Sequence, residues 1–378
     1  MKILSTVKKI ISSKIVKIIG FAILFFVAAL FIFGIAFAFT CGSAQPNFKP
    51  SNDKTPDEIK AAEDTIENYK RPEESTYLTF PEWYLVFNPQ EYGQFIAENK
   101  PSGFPYFTSI GQFWSGYCQV YGITKRNYPF NGGVQLMESV IGTSFSVEYA
   151  VKGVWENTIG RISEWLGGVQ TEEDAYATKV AIEYGDFIPT DPWYQFPFAQ
   201  KLQRLWVDTS FFGPHIVRKW ERKIFLTLEY GTKAIYAGII KVATHSIYGI
   251  ADTEIYASVQ NTPDNIFQDS KVRKIKDFGN QTYIIAVPHY QGFTDAIPTL
   301  ARQGVEFIDI AGNDEILLTA IAPQNWSYNL NDGALLFMMN MVNSDSKRIA
   351  VQTPIKSLAT IIIELENQGV KIEHLYDY

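Results

Sequence analysis

The hydrophobic and polar positions divide this chain into three regimes. Residues 18–39, IIGFAILFFVAALFIFGIAFAF, form an uncharged apolar run, long enough as a helix to cross ~30 Å of hydrocarbon. From residue 55 to about residue 250 apolar positions recur at helical spacing, interrupted by Pro and Gly. From Asp252 onward β-rich runs alternate with short amphipathic helices. The pattern predicts an α+β protein. It would have a transmembrane helix over 18–39, a polar linker over 40–54, an aromatic-rich, mainly helical domain over 55–250, and an α+β domain over 251–378.

The flanks orient the apolar run. Residues 1–17 carry Lys2, Lys8, Lys9, Lys14 and Lys17 and no acid, and no lysine directly follows the run. This places the N-terminus in the cytoplasm and the bulk of the chain outside, as in a bacterial-type inner membrane. A cleavable signal peptide would have an apolar region of roughly 7–15 residues, although Ala36-Phe37-Ala38 offers a small-x-small site. A lipoprotein would need a better acceptor motif than AFTC, which ends at Cys41. Length favours the uncleaved anchor. The only cysteines are Cys41 and Cys118. A bridge between them is possible, but the place of Cys41 at the membrane edge weighs against it, given the geometry a disulfide demands.

The stretch STYLTFPEWYLVFNPQEYGQF, residues 75–95, sets two glutamates among aromatics. Glu82 and Glu91 would be an acid–base pair or helix-starting residues. Thr79-x-x-Glu82, Asn88-x-x-Glu91 and Thr55-x-x-Glu58 each read as a capping box, with Pro56 and Pro89 at first helical positions. The scaffold reading follows, and Phe80, Trp83, Tyr84, Phe87, Tyr92 and Phe95 supply a packing surface. Residues 101–124 carry no charge, but Ser, Thr, Gln and Gly are too frequent for a lipid-facing helix. They predict a buried or cleft-lining one.

Two long helical segments follow, over about 133–166 and 214–248. Both contain Glu-Tyr-small-x-Lys: EYAVK from Glu148 to Lys152 and EYGTK from Glu229 to Lys233. Glu four residues before Lys is the favourable orientation for an i,i+4 pair. On a wheel, Arg218, Arg222, Glu229, Lys233, Lys241 and His245 fall on one side of the second segment. Val217, Ile224, Leu228, Ile235, Ile239 and Val242 fall opposite. The segment is thus amphipathic and not membrane-spanning. The plain expectation is a solvated, salt-bridged polar side. The functional one is a cleft between the two helices, lined by Glu148, Lys152, Glu229 and Lys233, with His215 and Arg218 near the helix start to receive an anionic ligand or lipid head group.

The C-terminal third contains a repeat. Residues 283–310 and 348–375 share a β-rich run, a turn with Pro288 or Pro354, an amphipathic helix, Gln-Gly-Val and another strand. Gly304 and Gly369 sit where a helix needs a left-handed cap. With the further strands DEILLTAIAP and GALLFMMNM, the repeat predicts two ferredoxin-like halves packed together.

Composition narrows the function classes. The 46% hydrophobic content marks a folded chain, and the net charge of −7 argues against a nucleic-acid partner. There is no P-loop, GxGxxG, HExxH or GxSxG, and no His, Cys or carboxylate spacing for a metal. No cofactor or metal is therefore expected. The expectation is a single-pass membrane protein whose extracytoplasmic body binds a small anionic ligand or an envelope partner. The alternative is an envelope enzyme acting on a lipid-derived or anionic substrate, with Glu148 or Glu229 as general base and His215 as partner. A third class is a structural module that assembles through its C-terminal sheet edges.

Overall fold

The structure, a computed structural model, describes residues 32, 40, 41, 55–168, 171–244, 253–268, 271–342 and 344–378. The basic segment 1–17 and nearly all of the apolar run and linker lie outside these residues, as does His245. Among the described residues no helix is long and apolar enough to cross a membrane.

Among the described residues helices occupy the chain from Asp57 to Thr244 and strands dominate from Glu254 onward, so the α+β expectation holds. The helices are α1 (Asp57–Glu63), α2 (Ser75–Leu78), α3 (Phe80–Glu98), α4 (Tyr106–Asn127) and α5 (Gly132–Trp155). A π-helical turn, Glu156–Gly160, joins α5 to α6 (Arg161–Gly167). Then come α7 (Glu172–Phe187), α8 (Phe198–Asp208) and the long α9 (Ile216–Thr244).

The strands form two antiparallel four-stranded sheets. The first contains β1 (Glu254–Gln260), β2 (Arg273–Gly279), β3 (Thr282–Pro288) and β4 (Glu306–Ile310), in the order β2-β3-β1-β4. The second contains β5 (Glu315–Pro323), β6 (Ala334–Asn340), β7 (Ser346–Pro354) and β8 (Lys371–Tyr376), in the matching order β6-β7-β5-β8. Helix α10 (Gln291–Arg302) links β3 to β4, and α11 (Ile355–Asn367) links β7 to β8. The repeat read from the sequence is thus one strand–helix–strand unit per sheet. Gly304 (φ +85°) and Gly369 (φ +74°) follow these helices in the left-handed conformation, where glycine carries no Cβ penalty.

The strands β3 and β5 are nearly continuous apolar runs because each has cover on both faces. The sheets and their helices share one core, in which Val287, Phe293 and Ile297 meet Leu318, Ile349 and Leu365. The other face of the second sheet lies on the helices. There Leu317, Phe337, Met339 and Tyr376 join Phe80, Trp83, Phe113 and Tyr149 in an aromatic core. Helical and sheet regions are therefore built on common packing.

Packing also explains why none of the three expected capping boxes forms. Thr79, the turn residue between α2 and α3, has backbone angles in the helical region, and its hydroxyl turns back to the Ser75 carbonyl at 3.3 Å. Helix α1 begins after Pro56 with no side-chain cap. Asn88 and Pro89 fall inside α3, which continues past them. Phe80, Trp83 and Tyr84 before the proline and Tyr92 and Phe95 after it are all buried, and their packing outweighs the ~3 kcal/mol that an interior proline costs. Glu91 is accordingly not a cap. It is buried, accepts a hydrogen bond from the Val342 N–H at 2.5 Å, and lies 3.9 Å from Arg348. The capping box that does form is at Thr171, whose hydroxyl accepts from the Asp174 N–H while Asp174 accepts from the Thr171 N–H.

The disulfide expectation is overturned too. Cys41 and Cys118 are bonded, their Cα atoms 4.9 Å apart, within the range a disulfide requires. Cys41 packs on Tyr117 and Tyr121 of α4, so this position is held directly against the helical region.

Candidate functional site

Helices α5 and α9 run antiparallel, and their charged side chains define the pairing. Arg222 meets Glu156 at 2.6 Å, Glu229 meets Lys152 at 2.6 Å, and Lys233 meets Glu148 at 2.9 Å. Lys152 also reaches Glu148 at 3.0 Å, and Lys233 reaches Glu229 at 3.4 Å. The two Glu-Lys motifs therefore come together, as the cleft expectation required, but they close into a ring in which each lysine touches both glutamates. Tyr92 and Tyr149 stand under Lys152, and Tyr184 and Phe198 under Lys233, at cation–π distances of 5.0 to 5.8 Å.

The electrostatics of the ring oppose catalysis by its members. Burial pushes the Glu148 carboxyl up, but Lys233 and Lys152 outweigh it and hold the group at about 2. Burial raises Glu229 as well, and Lys152 and Lys233 again bring it below its ordinary value. Burial lowers Lys152, and Glu229 and Glu148 push it well above the usual lysine range. Such carboxylates are weak bases, and such an ammonium is no nucleophile at neutral pH.

Closer to the start of α9 the same arrangement is larger and drier. Arg218 binds Asp174 at 2.8 Å, Glu221 at 2.9 Å and the Ser163 hydroxyl at 3.0 Å. Arg222 adds Asp174 at 3.2 Å. Lys219 reaches Glu172 and Glu173, and Lys223 reaches Glu173 at 3.0 Å. Arg218, Arg222, Lys223, Glu156 and Glu173 are fully buried. Glycine permits this approach at Gly167, where a Cβ would stand 2.8 Å from the Cβ of Arg218. Burial pushes the Glu156 carboxyl up against the pull of Arg222 and Arg218. Burial also raises Asp174, but Arg222 and Arg218 outweigh it and leave the group lowered.

The expected solvated polar side is therefore wrong in a specific way. Helix α9 is inverted: its charged side faces α5, the π-turn and α7, while Val217, Ile224, Leu228, Ile235 and Ile239 face outward. Helix α5 does the same with Val151 and Val154, and α6 with Ile162, Trp165 and Leu166. His215 does not join the Glu148–Glu229 ring. It is exposed, in the left-handed region at φ +62°, and ~21 Å from Glu229 along the helix axis at 1.5 Å per residue.

The sequence reading missed Glu156, Glu173, Asp174 and Glu221, the anions that hold the α9 cations. Two signals pointed to them. Glu148, Lys152 and Glu156 repeat at i, i+4, i+8, and Thr171-x-x-Asp174 is a capping-box match that delivers three acids in its first turn.

A recess of about 200 Å³ lies beside the disulfide, lined by Leu78, Tyr121, Thr124, Lys125, Tyr128 and Gln135. Next to it Glu138 is buried with one carboxyl oxygen lacking a hydrogen-bond partner. Burial pushes that carboxyl well above its ordinary range. Among the described residues no group of His, Cys, Asp and Glu could hold a metal ion. No family model, curated protein or solved structure matches this chain.

Proposed function

We propose that this is an envelope protein tethered to a bacterial-type inner membrane by residues 18–39, with its body outside the cytoplasm, and that it acts by binding a partner rather than by catalysis. The observation that carries the compartment is the Cys41–Cys118 disulfide, since such bonds persist in oxidising compartments and are rare in the cytosol. The bond lies directly behind the apolar run, which agrees with the lysines that precede that run. Binding is favoured over catalysis because the cations offered for an anionic substrate, Lys152, Arg218 and Lys233, already carry carboxylates. The tandem sheets are read as ferredoxin-like halves whose first crossover helix is reduced, in the first half, to the 3-10 turn Asp264–Gln268. They would serve as the rigid platform of the body.

Reporter fusions at Asn52 and at Tyr378, read together with alkylation of cysteines in intact cells, test this. Both fusions should report an extracytoplasmic position, and Cys41 and Cys118 should resist alkylation until a reductant is added. A cytoplasmic report from either fusion, or free thiols in untreated cells, overturns the reading.

A further inference from the structure

We infer that the outward apolar face of α5, α6 and α9 is a docking surface for the lipid bilayer, so that the body lies against the membrane and does not hang from its tether. The inference rests on the anchor reading above and adds where the body goes.

The first ground is the inversion itself. In water a helix pair turns charge outward and apolar residues inward; here fully buried Arg222, Lys223, Glu156 and Glu173 oppose Trp165 at 83% exposure and Ile235 at 69%. From Gly132 to Thr158 and from Ile216 to Ile239 no exposed residue is charged. A contiguous apolar face of this kind marks a surface that is covered in use.

The second ground is that the two stripes coincide. At ~100° per residue, the outward stripe of α5 lies ~110° from the positions facing α9, and that of α9 lies ~125° from the positions facing α5. Because the helices are antiparallel, these offsets place both stripes on one side of the pair. Together they form one face ~40 Å long at 1.5 Å per residue.

The third ground selects lipid as the occupant. The ion pairs place Lys233 of α9 beside Glu148 of α5, so the rest of α9 runs on toward the N-terminal half of α5, where Gln135 accepts from the Tyr117 hydroxyl at 2.6 Å. Tyr117 also packs on Cys41. The face therefore starts near the point where the disulfide fixes Cys41 to α4. Ile32, within that run, is 68% exposed, so at that position the run does not cover the face. A Trp at the far end of an otherwise aliphatic stripe suits the membrane interface.

The full chain, with the native disulfide intact, would be reconstituted into vesicles of phosphatidylethanolamine and phosphatidylglycerol. Nitroxides would be placed through Val151→Cys, Leu228→Cys or Ile235→Cys, with Thr360→Cys on α11 as the exposed control. Circular dichroism in the same vesicles checks the fold, and Val154→Cys replaces any label that perturbs it. The three sites should be relaxed by oxygen and lose relaxation by a water-soluble nickel chelate, with the reverse at residue 360. Nickel access equal to that of the control overturns the proposal. So does exclusion of both reagents, with spin–spin broadening if a second copy covers the face and without it if the chain's own N-terminal segment does. Carbonate-resistant flotation of the same vesicles reads the anchor separately. A chain that floats with nickel-accessible labels rejects the face alone, and one that fails to float rejects both.

Discussion

Glu156 and Arg222 meet at 2.6 Å with both side chains buried, and two positions further along α9 Ile224 faces outward. The charge is inside and the hydrocarbon outside within less than one turn. This ordering holds only because anions on the π-turn, α7 and α9 itself match the cations of α9, and because Gly160 and Gly167 leave room for the long side chains. Breaking a buried pair by removing one partner strands the other charge, at a cost of ~3–5 kcal/mol, whereas replacing both by apolar groups is often close to neutral. Arg222→Met should therefore destabilise the full chain by ~3–5 kcal/mol in denaturant titration. The double change Glu156→Leu with Arg222→Met should recover a large part of that loss, since Asp174 keeps Arg218. A double variant less stable than the single one would show that the pair is not stranded by the first change.

Asp309 predicts a pH dependence of opposite sign to ordinary acid denaturation. It is buried beside Tyr69, which donates to it at 2.9 Å, and near Glu63. Burial first, then the Glu63 carboxylate, pushes it up to about 8 from 3.8. A raised carboxyl keeps its proton in the folded state while the unfolded chain releases it. The stability it supports is complete below about pH 4 and is lost as pH rises toward about 8, by at most ~1.4 kcal/mol per unit. Asp309→Asn should flatten that slope and be more stable than the parent at pH 8. Thermal unfolding between pH 5 and pH 8 is the measurement, and an unchanged slope rejects the assignment.

The disulfide should contribute stability as well as location. It closes a loop with a sequence separation of 77, and bridges typically stabilise by ~2–4 kcal/mol, below the ~4.5 kcal/mol a chain-entropy model allows for a loop of that length. Cys41→Ser with Cys118→Ser should lower the unfolding midpoint to the value the parent shows under reductant. The parent should also migrate differently on gels with and without reductant. A parent midpoint insensitive to reductant would contradict this.

The sequence displayed the parts of the fold that depend on local pattern. Strand–helix–strand periodicity and the glycines at 304 and 369 were enough to find both halves of the repeat. The long helices were equally plain, and so was the spacing that brings Glu148, Lys152, Glu229 and Lys233 together. What the pattern left open was direction. A helical wheel separates Arg218 and Arg222 from Ile224 and Leu228 but is symmetric to inversion, and only the anions of other elements decide which side is buried. The capping boxes at Thr79 and Asn88 failed for a related reason, because the aromatic packing that carries α3 through Pro89 comes partly from strands more than two hundred residues away.

That packing alters what substitutions around residue 80 should do. Glu82→Gln and Thr79→Ala should both be mild, since the Thr79 hydroxyl bonds back to the Ser75 carbonyl of α2 and does not cap α3. Glu91→Ala should be the damaging change. It removes the acceptor of the half-buried Val342 N–H and one anion near the buried Arg348, and leaving such groups unpartnered costs on the order of 1 kcal/mol or more. A Thr79→Ala loss larger than that of Glu91→Ala, measured by denaturant titration, would return the capping box to consideration.

The ring of Glu148, Lys152, Glu229 and Lys233 gives the most discriminating test, because its geometry sets the sign of non-additivity. Glu229 is the more enclosed acid, at 13% side-chain exposure against 37% for Glu148, so Glu229→Gln should cost more than Glu148→Gln. Either single change leaves both lysines one glutamate. The double change leaves Lys152 and Lys233 partly buried, facing each other with no anion in the ring. The second removal should therefore cost more than the first, with a coupling of ~0.5–3 kcal/mol. Salt should weaken the effect only modestly, since enclosed charges are poorly screened. Losing both acids would also force the lysines toward deprotonation, so the double variant should regain part of its stability as pH approaches the lysine range. Denaturant titrations of the four proteins at low and high salt settle the matter. Small, additive and salt-erased losses would reduce the ring to two independent surface pairs and leave the lower network around Arg218 and Arg222 as the element that holds α9 with its apolar side outward.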